Sequence, residues 1–110
     1  MSDCLFCRIV EGAVPSRRVD EDDTTFAFED IAPRAPTHVL IVPKQHVDTI
    51  ADASDEALVG RLLLTAARIA RKRGLESYRL VVNNGEGAGQ TVFHLHVHLL
   101  GGRTMSWPPG

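Results

Sequence analysis

The chain has 110 residues, 44% of them apolar and 24% charged, with a formal net charge of −2. This length predicts one domain over residues 1–110, and the balance suits an ordinary globular protein rather than a basic, nucleic-acid-coating one. No apolar run nears the ~18 residues that a membrane helix needs. The start Met1-Ser2-Asp3-Cys4-Leu5-Phe6-Cys7 lacks the basic and apolar stretches of a signal peptide, so a cytoplasmic location is expected.

Cys4 and Cys7 form a Cys-x-x-Cys pair. In a reducing compartment that spacing suggests metal binding or redox chemistry more than a structural disulfide. A thioredoxin-like site needs a preceding strand, which the leader is too short to supply. Residues 5–10 predict one or two helical turns, stopped by Gly12 and Pro15. Residues 17–19 and 25–29 read as strands around the acidic run 20–23, taken as a solvated turn. Residues 30–36 are a proline-punctuated loop, and 37–42 form a β-prone run closed by Pro43.

From 54 to 73 the pattern is helical, with Ser54 as N-cap and Leu58, Leu62, Ala66 and Ile69 on one stripe. The cluster Arg71-Lys72-Arg73 falls in the last turn, where cations complement the helix dipole, and Gly74 is the stop. Residues 78–83 read as a strand, 84–90 as a glycine-rich loop and 91–100 as the last strand. The tail 103–110 is too proline-rich for regular structure. Paired strands with one long helical crossover argue for an α+β fold, a mainly antiparallel sheet with the helix on one face.

The segment His94-Leu95-His96-Val97-His98-Leu99-Leu100 is the most informative. On a strand the three histidines would share one face, and Leu95, Val97 and Leu99 would face the core. Alternate residues lie ~6.6 Å apart, so a phosphate over the row could touch two imidazoles. An imidazole with a pKa near ~6.5 can attack, accept or donate a proton near neutrality. Alternating histidines can also bind a catalytic metal, which leaves a metallohydrolase open. The glycine-rich loop is no P-loop, since no Gly-Lys-Ser/Thr follows and it opens no helix. Lying before the histidine strand, it could turn backbone N–H groups, including those at Gly89 and Gln90, together with Asn83 and Thr91, towards phosphate oxygens. Asp30, before the proline-rich loop, could accept hydrogen bonds from ribose hydroxyls, or simply form a turn.

The His-φ-His-φ-His-φ-φ pattern, where φ is apolar, resembles the signature of the histidine triad (HIT) superfamily. Asp30-Ile31-Ala32-Pro33, Ala35-Pro36-Thr37-His38 and Ile41-Val42-Pro43-Lys44-Gln45-His46 resemble its upstream blocks. The ending Leu100-Gly101-Gly102-Arg103 with Trp107-Pro108-Pro109-Gly110 resembles the branch of histidine triad nucleotide-binding proteins, and the likeness runs from Cys4 to the last residue.

The resemblance implies a HIT-like fold with a five-stranded sheet, one long and one short helix, and sheets joined across a homodimer. It implies a purine nucleoside phosphoramidase or nucleotidyl hydrolase in which His96 attacks the α-phosphorus and forms a covalent nucleotidyl-histidine. His98 matches the phosphate-contacting residue that assists the leaving group, and His38 and His94 match supporting positions. Asp30 matches the ribose ligand, Ile31 and Phe28 the base pocket, and Asn83 and Thr91 phosphate contacts. Thr91 stands where relatives often carry serine. Cys4 and Cys7 resemble microbial members that hold structural zinc, whose remaining ligands match His46 and His94. Two thiolates and two imidazoles make a closed site, and zinc on His94 would steady the strand entering His96. The C-terminal tail is expected to reach the neighbouring active site. Two other readings stay open: a dinucleoside polyphosphate hydrolase or nucleotidyltransferase of the same superfamily, and a nucleotide-binding interaction module with incidental hydrolysis.

Overall fold

The computed structural model describes residues 3–110. Its elements run α1 (Leu5–Val10), β1 (Arg18–Glu21), β2 (Thr25–Glu29), β3 (Thr37–Pro43), α2 (Glu56–Lys72), β4 (Tyr78–Val81) and β5 (Val97–Gly101), with short 3-10 turns at Ile50–Asp52 and Glu86–Ala88. The five strands form one sheet in the order β1-β2-β3-β5-β4, and every neighbouring pair is antiparallel. The expected α+β, five-stranded antiparallel architecture is what forms.

Two apolar layers flank the sheet. On one face Ala27, Val39, Ile41, Leu95, Val97 and Leu99 meet the stripe Leu62, Ala66, Ile69 and Ala70 of α2. On the other, Phe26, Phe28, Leu40 and Val42 receive Phe6 and Ile9 of α1. Strand β3 is central and covered on both sides, so all its residues are buried. The burial of β5 instead alternates, leaving His98 and Leu100 half-buried on the face that the short α1 only partly covers. That uncovered strip is where chemistry can happen.

Several boundaries differ from the sequence reading, and β1 runs to Glu21 instead of ending at 19. Helix α2 is capped by Asp55, whose side chain accepts the Leu58 N–H, rather than by Ser54. Strand β4 ends at Val81. The last strand begins at Val97, not at 91. The reason lies at Pro43, which has no N–H for the ladder. The β3–β5 register stops at Ile41 opposite Val97, the Leu95 N–H turns to the Val47 carbonyl at 2.6 Å, and the Pro43 carbonyl is taken by His94. His94 and His96 therefore precede the strand, and only His98 lies on it.

The acidic run is more than a solvated turn. Asp20 pairs with Arg68 of α2 at 3.1 Å and Asp22 with Arg61 at 3.5 Å, while Arg73 of the basic last turn reaches Glu29. Each exposed pair adds little on its own, but together they sit where α2 passes the β1–β2 edge. At the end of β5, Gly102 has φ +90, and a Cβ there would lie 2.9 Å from Pro36 Cβ. Only glycine combines that conformation with so close an approach, and the contact seats the proline-rich loop against the strand.

Candidate active site and metal centre

Strands β3 and β5 bring His38 and His98 side by side, with His38 Nε2 and His98 Nδ1 2.9 Å apart. The direction of that hydrogen bond follows from the backbone. The Arg34 N–H donates to His38 Nδ1 at 3.0 Å, so the proton of neutral His38 sits on Nε2 and is donated to His98 Nδ1. Neutral His98 then carries its own proton on Nε2. Asp30 Oδ2 lies 3.4 Å from His38 Nε2 and backs the pair with negative charge.

His96 is fixed in the opposite sense. Its Nδ1–H donates to the His94 carbonyl at 2.7 Å, which leaves Nε2 with an uncommitted lone pair. Its ring stands edge-on to Phe6 at 5.1 Å and to His98 at 4.9 Å between centroids. Burial pushes the pKa values of His38, His96 and His98 below the usual histidine range. For His98 the shift goes to about 4, because the neighbouring His96 and His38 add to burial and Asp30 only partly opposes them. At neutral pH the cluster therefore holds a neutral imidazole with a free lone pair beside a neutral imidazole with a free donor. A nucleophile next to a proton donor is the arrangement that covalent group transfer requires.

The second cluster joins α1 to the segment before β5. Cys4 Sγ lies 3.3 Å from His94 Nδ1, Cys7 Sγ 3.5 Å from the same atom and 3.3 Å from His46 Nδ1. All four ligand atoms are within 4.8 Å of one another. A tetrahedron with metal–sulfur distances of ~2.3 Å and metal–nitrogen distances of ~2.0 Å has edges of roughly 3.3–3.8 Å, so the set fits a zinc-type ion. The outer partners agree. His94 Nε2–H donates to the Pro43 carbonyl at 2.7 Å and His46 Nε2–H to Asp48 Oδ1 at 2.5 Å, so both rings present Nδ1 lone pairs inward. Cys4 also caps α1 by accepting the Cys7 N–H at 3.4 Å.

Asp30, His38 and His98 are equally close-set, but the same test separates them from the first cluster. A metal on His38 Nε2 would leave Nδ1 needing a proton where the Arg34 N–H already points at it. The trio is built as a hydrogen-bonded relay, which argues against a metal-activated water there.

A cleft of about 660 Å³ opens beside His38, walled by Pro15, Ser16, Asp30, Ile31 and Pro33. Ile31 is fully exposed at its mouth, whereas Phe28 is buried against Phe6 at 5.3 Å and is not among the lining residues. Asp30 forms the turn, its Oδ1 accepting the Ala32 N–H, while Oδ2 faces His38. Gln90 does not offer its side chain to a ligand. It is 1% exposed, its Oε1 accepts the Gly85 N–H, and its Nε2 donates to the Asp48 and Val92 carbonyls. A buried amide with both donors and its oxygen engaged is a brace for the glycine-rich loop. Gly89 and Thr91 are exposed and Asn83 is half-buried near Gly89. The sequence reading had no signal for Phe6, Arg34 or Asp48, because their roles rest on a ring edge, a backbone N–H and an outer-sphere contact.

The sequence model of the HIT domain family matches residues 11–105. An uncharacterized HIT-like protein of Synechococcus elongatus is 50% identical over 98% of this chain and 97% of its own length. Among solved structures, a HIT family hydrolase from Legionella pneumophila has a TM-score of 0.95 at 50% identity, covering 98% of this chain and all of that one. A histidine triad nucleotide-binding protein from Candida albicans has a TM-score of 0.84 at 31% identity, covering 96% of this chain and 83% of that one.

Proposed function

The chain belongs to the HIT domain family, and on that premise we propose that it is a hydrolase of purine nucleoside phosphoramidates that works through a nucleotidyl-His96 intermediate. One observation carries this reading: His96 is neutral and its Nδ1–H is tied to the His94 carbonyl, which leaves Nε2 as the attacking atom. The likeness to a hydrolase and to a nucleotide-binding protein supports the substrate class.

In the first step Nε2 of His96 forms a bond to the α-phosphorus and the bond from phosphorus to the leaving nitrogen breaks. The Nδ1–H bond to the His94 carbonyl steadies the positive charge that develops on the ring. The leaving nitrogen takes its proton through His98 Nε2, and a proton from solvent replaces it, so His98 stays neutral with its Nδ1 held by the His38 Nε2–H. Water then bonds to phosphorus, the bond to His96 breaks, and the proton that the water loses passes back to solvent. The sum consumes one water and yields a nucleoside monophosphate and an amine. Asp30 and Ile31 would hold the ribose and base along the cleft, and Asn83, Gly89 and Thr91 would contact the phosphate. Cys4, Cys7, His46 and His94 would hold a structural zinc ion, whose chemistry is to cross-link α1 to the segment entering the site. The unit would act as one domain, paired with a second copy.

The test is turnover of adenosine and guanosine phosphoramidates, with acid- and base-quenched samples examined by peptide mass spectrometry. The wild-type protein should carry a nucleotide on the peptide containing His96. His96→Ala should show no turnover yet still bind nucleoside monophosphate, and His98→Ala should be slowed by roughly 10²–10⁴-fold. Full activity in His96→Ala would overturn the reading.

A further inference from the structure

The two sulfurs of the metal centre have a second chemistry open to them, and we propose that Cys4 and Cys7 are a site of reversible oxidation. They close to a disulfide that cannot coexist with the metal and that releases α1 from the segments it is tied to. This rests on the zinc assignment above and not on the phosphoramidase reading.

The Cys-x-x-Cys spacing is open to metal binding and to redox chemistry, and the geometry serves both. Cys4 precedes α1 in extended backbone, with φ −75 and ψ 122, and its side chain turns back over the first turn, where Sγ accepts the Cys7 N–H at 3.4 Å. Both sulfurs converge on one atom, His94 Nδ1, at 3.3 Å from Cys4 and 3.5 Å from Cys7. They lie within 4.8 Å of each other, and turning the two side chains closes that gap to the ~2.05 Å of a disulfide. The chain has two cysteines, so no third thiol competes within it. Access is past His46, 3.3 Å from Cys7 Sγ, whose side chain is 40% exposed and borders a cleft of about 410 Å³. A small uncharged oxidant such as hydrogen peroxide fits that route.

As metal ligands both sulfurs are thiolates, the form that peroxide oxidises. The Cys7 sulfur, beside the exposed ring, bonds to one peroxide oxygen, the O–O bond breaks and hydroxide leaves, giving a sulfenic acid. The Cys4 thiolate then bonds to that sulfur, the S–O bond breaks and a second hydroxide leaves. Each sulfur has given up one electron, the two hydroxides take protons from solvent to become water, and the divalent ion departs with its charge unchanged. The restraints on the fold change with it. Ligation joins Cys7 to His46, 39 residues away, and Cys4 to His94, 90 residues away, whereas the disulfide joins residues three apart. A cross-link over so short a loop restrains the unfolded chain far less than one over a long loop, and it places no constraint between α1 and the sheet.

The experiment treats the zinc-loaded full chain with millimolar hydrogen peroxide. Wild type should lose two hydrogens, by mass spectrometry, from the peptide carrying both cysteines, and release one zinc per chain to a chromogenic chelator. Its Tm should fall to that of the Cys4→Ser, Cys7→Ser double variant. A thiol reductant with added zinc should restore mass, metal and melt together, and Cys7→Ser should show no two-hydrogen loss. Zinc and both thiols retained under peroxide overturn the inference, as does zinc released with sulfinic acids or a chain-to-chain link in place of the Cys4–Cys7 bond. Reduced protein that binds no zinc overturns the zinc assignment and the inference with it. None of these readouts uses turnover, so the phosphoramidase reading stands or falls separately.

Discussion

His98 gains a second proton only in acid, because burial and the adjacent His96 and His38 hold its pKa at about 4. The rate constant kcat/KM reports free-enzyme groups, so its acid limb should lie below the ordinary ~6.5, with the His98 relay lost as pH approaches 4. At that point a proton on His98 Nδ1 confronts the His38 Nε2–H and breaks the relay. An acid limb centred at the ordinary ~6.5 would contradict the burial argument. Stability has the same sign. His38 and His98 stay neutral in the fold while the unfolded chain protonates them below ~6.5, so the unfolded state binds more protons as pH drops. Their contribution is full above ~6.5 and is lost progressively as pH falls, for His98 down to about 4, and the urea midpoint should be lower at pH 5 than at pH 7. These tautomers and shifts were not legible in the sequence. Alternation marked which residues to examine, but the partner of each second ring nitrogen is a backbone group or a residue far along the chain: Arg34 for His38, Pro43 for His94.

Helix α1 shows how an element too short to persist alone is made useful. Six residues cannot sustain a helix in water; Cys4 caps it, Phe6 and Ile9 bury its inner side, and the ligand cluster ties it to His46 and His94. Cys4→Ser with Cys7→Ser should therefore abolish bound metal and lower Tm, by ~4–8 °C for each kcal/mol lost. Metal analysis and a thermal melt showing no change would refute the tether. At the other end of the site, Gly102→Ala should destabilise the junction of β5 and the loop before β3, since the added methyl meets Pro36 in a left-handed backbone; a wild-type melt would show that the loop yields freely. Most elements were readable in advance: β2 from Phe26 and Phe28 alternating with Ala27, and α2 from its Leu62–Ala66–Ile69 stripe. The start of β5 was not, because the apolar alternation of Leu95 and Val97 continues past the point where Pro43 ends the ladder. Periodicity records which side chains are buried, not which N–H groups find a strand neighbour.

At the scale of the whole molecule the apolar accounting is incomplete. Leu64 on α2 is 73% exposed, Leu63 and Tyr78 are more than a third exposed, and β4 stands at an edge of the sheet with its outer backbone groups unmatched among the described residues. Trp107 is also exposed, held near that edge by Arg79, which donates to the Ser106 carbonyl at 2.8 Å and lies 5.9 Å from the indole ring. An open strand edge beside exposed leucines is a surface that a second copy can cover, because a two-fold axis along β4 would pair identical edges. Such a dimer would bury on the order of 2,000 Å² or more. Sedimentation at micromolar concentration should give twice the 12.0 kDa chain mass, and Leu64→Glu should shift the boundary towards the single chain. Because Leu64 lies on α2, away from the histidine cluster, the monomeric variant should retain metal. Deleting residues 106–110 separates the tail from the interface: if the tail lines a partner's site, substrate preference changes while the sedimenting mass does not. A single-chain boundary for the wild type at all concentrations would refute the pairing and leave the exposed leucines to some other role.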